Sequence, residues 1–437
     1  MSDLATDFHD APLNDEISAE LAGHGLTARR VDDIARAETD RWQDAVARGF
    51  LNGEPTDTQH EVFAQIGAYR RKLGVYDAAG AQPDLPVATF ASWIGELTLP
   101  GAIVPACAIS AVTVAPTHRR RGILRTLMSG ELRTAAELGV PIAALTVSES
   151  TIYGRFGFAS AAQAAHWEID TRHVRWTGPT PAGRFDFVTR EQGRAAAEAL
   201  HERMRPDSAG ELGMPGGHWD RFFGTRADAE KADQLRVVQF RSAAGGADGI
   251  AVYRAVENEA AFDQSTVEIS LLLAATDDAY AALWHFFLSM DLISTVKASE
   301  LAVDEPLWWM IGNHRAASIR LLDHHYLRVL DVPAVLQART YDVADTIVLE
   351  VSDPLEIAGG TFVLTTDSTG VGEVDVVDAP PVGLPVVELG VAELSALLLG
   401  GVSAVTLARA GRLRTDDADR IARVFQSTRA PRLSYWY

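Results

Sequence analysis

The sequence predicts an α/β chain whose strand–helix–strand layout occurs twice and which closes on a smaller α+β domain. Three observations predict it. Val112 and Val114 alternate with smaller residues up to Pro116, Ile123, Leu124, Leu127, Met128 and Leu132 then recur at helical spacing, and an apolar run follows at 142–147. The region from Glu191 to Leu288 repeats that order of elements. The part after Tyr326 breaks into short strands and short helices.

Length and composition set the frame. At 437 residues the chain exceeds one ordinary core, so two or three domains are expected, and 47% apolar residues suffice to pack them. A net charge of −20 argues against general binding to nucleic acid or to an anionic membrane surface; it suits a cationic substrate, or solubility alone. Cys107 is the only cysteine, which excludes an intramolecular disulfide and a cysteine-based zinc site and leaves a small buried strand residue as its expected role. Residues 1–20 have no continuous apolar run, so no secretory signal is expected. The most apolar stretch, 394–408, is too short and too interrupted by Gly400, Gly401, Ser403 and Thr406 to span a bilayer. The expectation is a cytoplasmic protein without integral membrane association.

Residues 1–27, acidic and containing proline and asparagine, read as a flexible N-terminal extension. A helical pattern carried by Ile34, Val46 and Phe50 covers 32–50, and a shorter one covers 58–68. Strands are expected at 72–76 and 86–99, with a turn at Pro100-Gly101 and a further strand at 108–114. The helix over 122–138 should stop at Gly139, which suits a left-handed cap, before Pro141. Beyond the strand at 142–147 comes a polar and aromatic run from Ser148 through Tyr153 to Phe158. Ligand chemistry in open α/β sheets gathers at such strand ends.

The Pro- and Gly-rich stretch 177–183 suggests a domain boundary nearby. The second copy then comprises a helix at 191–203, a hairpin over 235–256 turning at Gly245-Gly246, a strand at 267–273 and a helix at 277–288. A further helix is expected over 314–323. His314, His324 and His325 lack an acidic partner at ligand spacing, so a surface or interface position is expected for them and no metal site. After Tyr326, a helix from Val332-Pro333 to Ala338, strands at 347–351, 360–365, 374–377 and 385–389, and helices at 391–399 and 416–425 make a domain that packs or binds a lipid. The chain closes on Tyr435-Trp436-Tyr437. Burying such side chains gains about 2 kcal/mol each, so this tail should dock and carry its terminal carboxylate with it.

The candidate chemistry starts where the first copy's helix begins. Arg119, Arg120, Arg121 and Gly122 stand at that helix N-terminus, where unpaired N–H groups and the positive dipole end favour a phosphate-like anion and guanidinium groups add charge-assisted bonds. The second copy has Thr276-Asp277-Asp278 at the equivalent place. Those carboxylates suit the dipole but would repel a pyrophosphate, so this copy is expected to be structural.

The segment Val112-Thr113-Val114-Ala115-Pro116-Thr117-His118-Arg119-Arg120-Arg121-Gly122 resembles the acetyl-CoA motif of the GNAT superfamily and, more narrowly, of the Eis (enhanced intracellular survival) family of N-acetyltransferases. Ser148-Glu149 with Ile152-Tyr153-Gly154-Arg155-Phe156-Gly157-Phe158 is similar to a second motif at that family's spacing, and Val332-Pro333-Ala334 onward to Leu349-Glu350-Val351-Ser352-Asp353 resembles the start of its C-terminal domain. Leu124 departs from the general superfamily pattern at its last position but is similar to the Eis form. The resemblance implies tandem GNAT-fold domains at 28–170 and 171–325, the second degenerate, and a sterol-carrier-protein-like domain at 326–437, assembled as a homohexamer.

The resemblance also implies roles. Acetyl-CoA would be the co-substrate, held by Val112, Thr113, Val114, Arg119, Arg120, Arg121, Gly122, Ile123 and Ser148. Tyr153 would be the general acid and the C-terminal carboxylate of Tyr437 the general base. The acceptor would be a primary amine on a cationic small molecule, aminoglycoside-like or polyamine-like, or a peptide lysine. Two other readings stand beside it: a tandem-GNAT transferase with a thiol- or aminoacyl-linked acceptor, and a non-catalytic assembly that binds CoA or lipid.

Overall fold

The computed structural model describes residues 2–32, 35–243 and 245–437. Its elements run α1 (Ser2–Asp10), α2 (Asp15–Ala22), β1 (Thr27–Arg30), α3 (Arg36–Gly49), α4 (Asp57–Ile66), β2 (Arg71–Tyr76), β3 (Ala88–Leu99), β4 (Ala102–Val114), α5 (Ile123–Glu137) and β5 (Ile142–Thr146). Next come β6 (Ala159–Asp170), β7 (Gly183–Val188), α6 (Arg190–Met204), α7 (Gly216–Phe223), β8 (Arg236–Ser242), β9 (Ala247–Val256), β10 (Ser265–Ala274), α8 (Asp277–Leu288), β11 (Ile293–Leu301) and α9 (Leu307–Met310). The chain ends with β12 (Ala317–Val329), α10 (Val332–Ala338), β13 (Asp345–Ser352), β14 (Gly360–Thr366), β15 (Gly372–Val377), β16 (Val386–Gly390), α11 (Val391–Leu397), α12 (Ala404–Arg409), β17 (Leu413–Arg414) and α13 (Ala418–Phe425).

Two compact units emerge: Met1–Ala161 with His325–Thr428 and Tyr437, and Ala162–His324 with Arg429–Trp436. In the first, strands lie in the order β1-β2-β3-β4-β5-β12, where β12 contributes His325–Val329. Only β4 and β5 in this series run parallel, because α5 crosses between them. Ile123, Leu127, Met128, Leu132 and Ala135 of α5 are buried in one apolar cluster with Leu73, Phe90, Cys107, Ile109 and Leu145 of the sheet. Gly139, at φ +76°, ends that helix as expected. The second unit repeats the plan in the order β6-β11-β10-β9-β8-β7, with β10 and β11 parallel and α8 between them.

Several expectations are corrected. Residues 2–27 are not a flexible extension: α1 and α2 bury Phe8, Ile17 and Leu21 in the first unit's core. The close approach of α2 to α5 requires Gly130, whose missing Cβ would lie 2.4 Å from Ile17. The buried Arg71 guanidinium ties this segment down, donating to Glu131 at 3.0 Å and to the carbonyl of Pro12 at 3.0 Å. Ile34, one of the apolar positions used to place the helix at 32–50, lies outside the described residues; the helix observed there is α3. The helix expected over 314–323 is not formed: His314–Ala316 make a 3-10 turn, and Ala317 onward runs as one continuous strand into the stretch His325–Val329 that pairs with β5.

The compact units follow other bounds than the expected domains. The units divide at Ala161/Ala162, inside β6, rather than after residue 170, and the Pro- and Gly-rich stretch is tied within the second unit by N–H groups of Thr177 and Gly178 on the carbonyl of Met310. The C-terminal sheet, β15-β14-β13-β16-β17, belongs to the first compact unit. Arg328 and Asp353 form a fully buried ion pair there, and the N–H of Thr340 bonds the carbonyl of Pro100. Among the described residues no helix is long and apolar enough to cross a membrane.

Candidate active site

The first unit's sheet opens where β4 leaves β5. Their last register pair is Ile109 with Leu145. Beyond it β4 bulges: Thr89 pairs with Thr113 but Ala91 with Ser110, so Ala111 and Val112 together face one residue of β3, and Ala111 adopts φ +50°. The bulge coincides with the split, which leaves backbone groups of this part of β4 without β5 as a partner. Val112 and Val114 are half-buried along it. The side chain of Thr113 is committed elsewhere, its hydroxyl 2.7 Å from that of Thr89, so only its backbone is available to a ligand.

The cradle follows directly. Gly122, at φ +77°, is the N-cap of α5, and no side chain caps this end, so the first-turn N–H groups, Ile123 included, lack the usual partner. Arg119, Arg120, Arg121 and Gly122 are exposed, whereas the side chain of Ile123 is buried. Arg120 holds φ +64°, a conformation disfavoured for a side chain with a Cβ. His118 anchors the approach, with Nδ1 2.8 Å from the Thr117 hydroxyl and Nε2 3.1 Å from Asp77. The His118 hydrogen bond, with smaller help from the charge of Arg121, holds the Asp77 carboxyl below its ordinary value. An uncapped helix end, a splayed strand and three free-standing guanidinium groups together fit a pyrophosphate and the chain attached to it.

Past the end of β5, Ser148 is exposed and Tyr153 opens a 3-10 turn, Tyr153–Phe156. The ring of Tyr153 packs edge-on to Phe158 with centroids 6.2 Å apart. Burial, then the negative charge of Glu149, raises its phenol above the ordinary value, so it is a neutral proton donor at physiological pH. The turn is braced from below. Arg328 on β12 donates from Nε to the carbonyl of Phe156 at 3.1 Å and from Nη2 to both oxygens of Asp353 at 2.7 Å. Asp353 also accepts the N–H groups of Leu355, Ile357 and Ala358, so the buried charges are compensated on both sides.

The C-terminus is docked, as its aromatic content led us to expect. Within the second unit, Arg432 and Ser434 bond the buried carboxylate of Glu211, and Tyr435, fully buried, donates to the carbonyl of Gly213 at 3.2 Å. Within the first unit, the Thr146 hydroxyl at the end of β5 donates to the main-chain oxygen of Tyr437 at 2.8 Å. The phenol of Tyr437 lies 3.0 Å from Nε2 of His325, and its ring meets Trp93 edge-on at 5.3 Å. Thr146, His325 and Trp93 come from three strands and carry no local sequence signature; a strand-end threonine was their only visible trace.

The remaining candidates resolve differently. His324 and His325 are buried rather than at a surface, because β12 runs into the sheet, whereas the exposed His314 stacks on Trp308 at 4.2 Å. Among the described residues no group of three or more His, Cys, Asp or Glu side chains could hold a metal. Cys107 is fully buried on β4. In the second unit, Thr276 caps α8 with its own side chain, accepting the N–H of Ala279 at 3.1 Å. That unit also has an open cavity of about 770 Å³, whose charges are largely paired: Arg254 with Glu268 at 2.6 Å and Lys297 with Glu168 at 3.1 Å.

Comparison with known proteins identifies the domains. Residues 30–161 and 210–329 each match an acetyltransferase (GNAT) domain family, and residues 332–434 match a sterol carrier protein domain. An uncharacterised N-acetyltransferase of Streptomyces avermitilis is 39% identical over 397 residues, covering 88% of this chain and 92% of its own. The N-acetyltransferase Eis of Mycobacterium tuberculosis is 33% identical over 356 residues, 79% of this chain and 84% of that protein. The crystal structure of Eis1 from Mycobacterium abscessus superimposes with a TM-score of 0.79 at 27% identity, over 94% of this chain and all of the other. The GCN5-related N-acetyltransferase of Anabaena variabilis, 18% identical, shares the fold with a TM-score of 0.77 over 94% of this chain and 100% of its own.

Proposed function

This chain belongs to the Eis family of GNAT N-acetyltransferases, and we propose that it transfers the acetyl group of acetyl-CoA by direct attack of a primary amine on a cationic acceptor. Aminoglycoside-like and polyamine-like molecules and lysine side chains are the acceptor classes that fit. The observation that carries this reading is the main-chain oxygen of Tyr437 held by the Thr146 hydroxyl at the end of β5, where Tyr437 would present a terminal carboxylate. A carboxylate there can take the proton an ammonium acceptor must lose, and its charge, like the net charge of −20, favours such an acceptor.

The roles divide along the first unit. The α5 N-terminus with Arg119, Arg120, Arg121 and Gly122 would hold the pyrophosphate, the backbone of Val112, Thr113 and Val114 would line the chain beyond it, and Ser148 would flank it. Acetyl-CoA supplies an acetyl thioester. The acceptor ammonium first loses one proton to solvent through the Tyr437 carboxylate; as the amine nitrogen then bonds to the acetyl carbon and the carbon–sulfur bond breaks, that carboxylate takes the second nitrogen proton and the Tyr153 hydroxyl gives one to the departing sulfur. The Tyr437 carboxyl then gives up its proton and Tyr153 takes one back, which resets the site. The assembled form would be the homohexamer that the family resemblance implies.

A CoA-release assay over a panel of amines, including aminoglycosides, polyamines and lysine peptides, tests the reading, with mass spectrometry counting the acetyl groups added. Turnover with cationic primary amines is expected. Acetyl-CoA binding without turnover on any amine would overturn it in favour of a binding assembly, and turnover confined to thiol- or aminoacyl-linked acceptors would favour the other transferase.

A further inference from the structure

The base proposed above sits on the last residue of the chain, which is an awkward place for a catalytic group. A terminal residue has no following peptide to fix its orientation, so its carboxylate turns freely unless other contacts hold it. Tyr437 is nevertheless only 7% exposed, and it is gripped at both ends. Thr146 donates to its main-chain oxygen at 2.8 Å, and His325 meets its phenol oxygen at 3.0 Å. These two side chains are register partners across β5 and β12, so they stand side by side on one face of the sheet. Trp93 closes the ring edge-on at 5.3 Å.

We infer that His325 is a positioning residue for catalysis: its ring nitrogen pins the phenol of Tyr437 so that the carboxylate of the same residue stays aligned on Thr146. This rests on the reading of that carboxylate as the base. The contact suits the environment. Burial keeps the phenol un-ionised, and an un-ionised phenol can either donate to a bare Nε2 or accept from a protonated one. His325 is itself fully buried on the strand that also carries Arg328, the brace of the Tyr153 turn. Losing the pin would leave the ring packed on Trp93 but remove the hold of His325 on the phenol, and an error in aim of a fraction of an ångström at the carboxylate lowers turnover rather than cofactor binding.

Tyr437→Phe removes one oxygen and keeps the carboxylate, and His325→Phe removes the ring nitrogen while filling its space. Each is expected to lower kcat about tenfold with the acetyl-CoA Kd within about twofold of the parent. The double variant should lose no more than either single one, since both break the same contact, and His325→Gln should regain most of the loss. Parental kcat in Tyr437→Phe, or losses that multiply in the double variant, would overturn the pin; Tyr437→Phe decides the matter even if His325→Phe folds poorly. Deletion of Tyr437 separates the two levels: full activity in the deletion removes the carboxylate as base, whereas an inactive deletion beside a fully active Tyr437→Phe removes only the pin.

Discussion

The start of α5 in the first unit and the start of α8 in the second occupy the same place in two copies of one layout, each following the first strand of a parallel pair. Their chemistry is opposite. At α5 the cap is Gly122, no side chain satisfies the first turn, and three arginines precede it. At α8 the Thr276 hydroxyl satisfies that turn internally and Asp277 and Asp278 neutralise the dipole. A helix start can be stabilised by its own side chains or left open for an anion, and the two uses exclude each other. The difference teaches that the second copy's helix is self-sufficient, whereas the first copy's is left open to an anion.

That comparison can be broken by making the first copy behave like the second. The largest effect is expected from deleting Tyr437 or extending the chain past it: kcat should fall by about 10²- to 10⁴-fold with acetyl-CoA still bound, as judged by calorimetry beside the CoA-release assay. A C-terminally tagged protein of full activity would end the base assignment. Tyr153→Phe should lower kcat about 10²-fold in the same assay, again with little change in cofactor Kd; unchanged turnover would remove Tyr153 from the chemistry.

Replacing Arg120 and Arg121 together by alanine should raise the acetyl-CoA Kd about tenfold, a modest figure because exposed charges are screened. An unaltered Kd would count against the cradle. The smallest and sharpest test compares Gly122→Asp with Gly122→Asn. Both side chains tolerate the left-handed backbone and no neighbour lies within 4 Å of the added Cβ, so the pair isolates the charge that the second copy carries. The aspartate variant should bind acetyl-CoA about two- to fivefold more weakly than the asparagine one, and equal Kd values would show that the acidic residues at α8 do not explain its difference.

Much of this architecture was legible because its signals are local. Val112 and Val114 on β4, the helical spacing of α5, Gly139 at its end and the run at 142–147 each report on a few neighbouring residues, and the structure puts them where the pattern does. Residues 2–27 were misread because their charge hides a sparse apolar set, Phe8, Ile17 and Leu21, that has meaning only against α5 and the sheet. The first half of β12 reads differently in the structure because a short mixed segment with Ile319, Leu321 and flanking polar residues fits either period, and only its continuation into the paired stretch His325–Val329 makes it a strand. His324 and His325 then moved from an expected surface into the interior.

By itself the sequence determined the family, the repeated layout, the run of arginines before α5, the acidic counterpart in the second copy and an aromatic tail that had to be buried. The tertiary structure alone decided where the last residue of that tail arrives. Thr146 and Tyr437 are 291 positions apart, and His325 and Trp93 come from two further strands. Hydrogen bonds among such residues leave no periodicity along the chain, because the partners meet only after β3, β4, β5 and β12 have paired and their registers have set which side chains share a face.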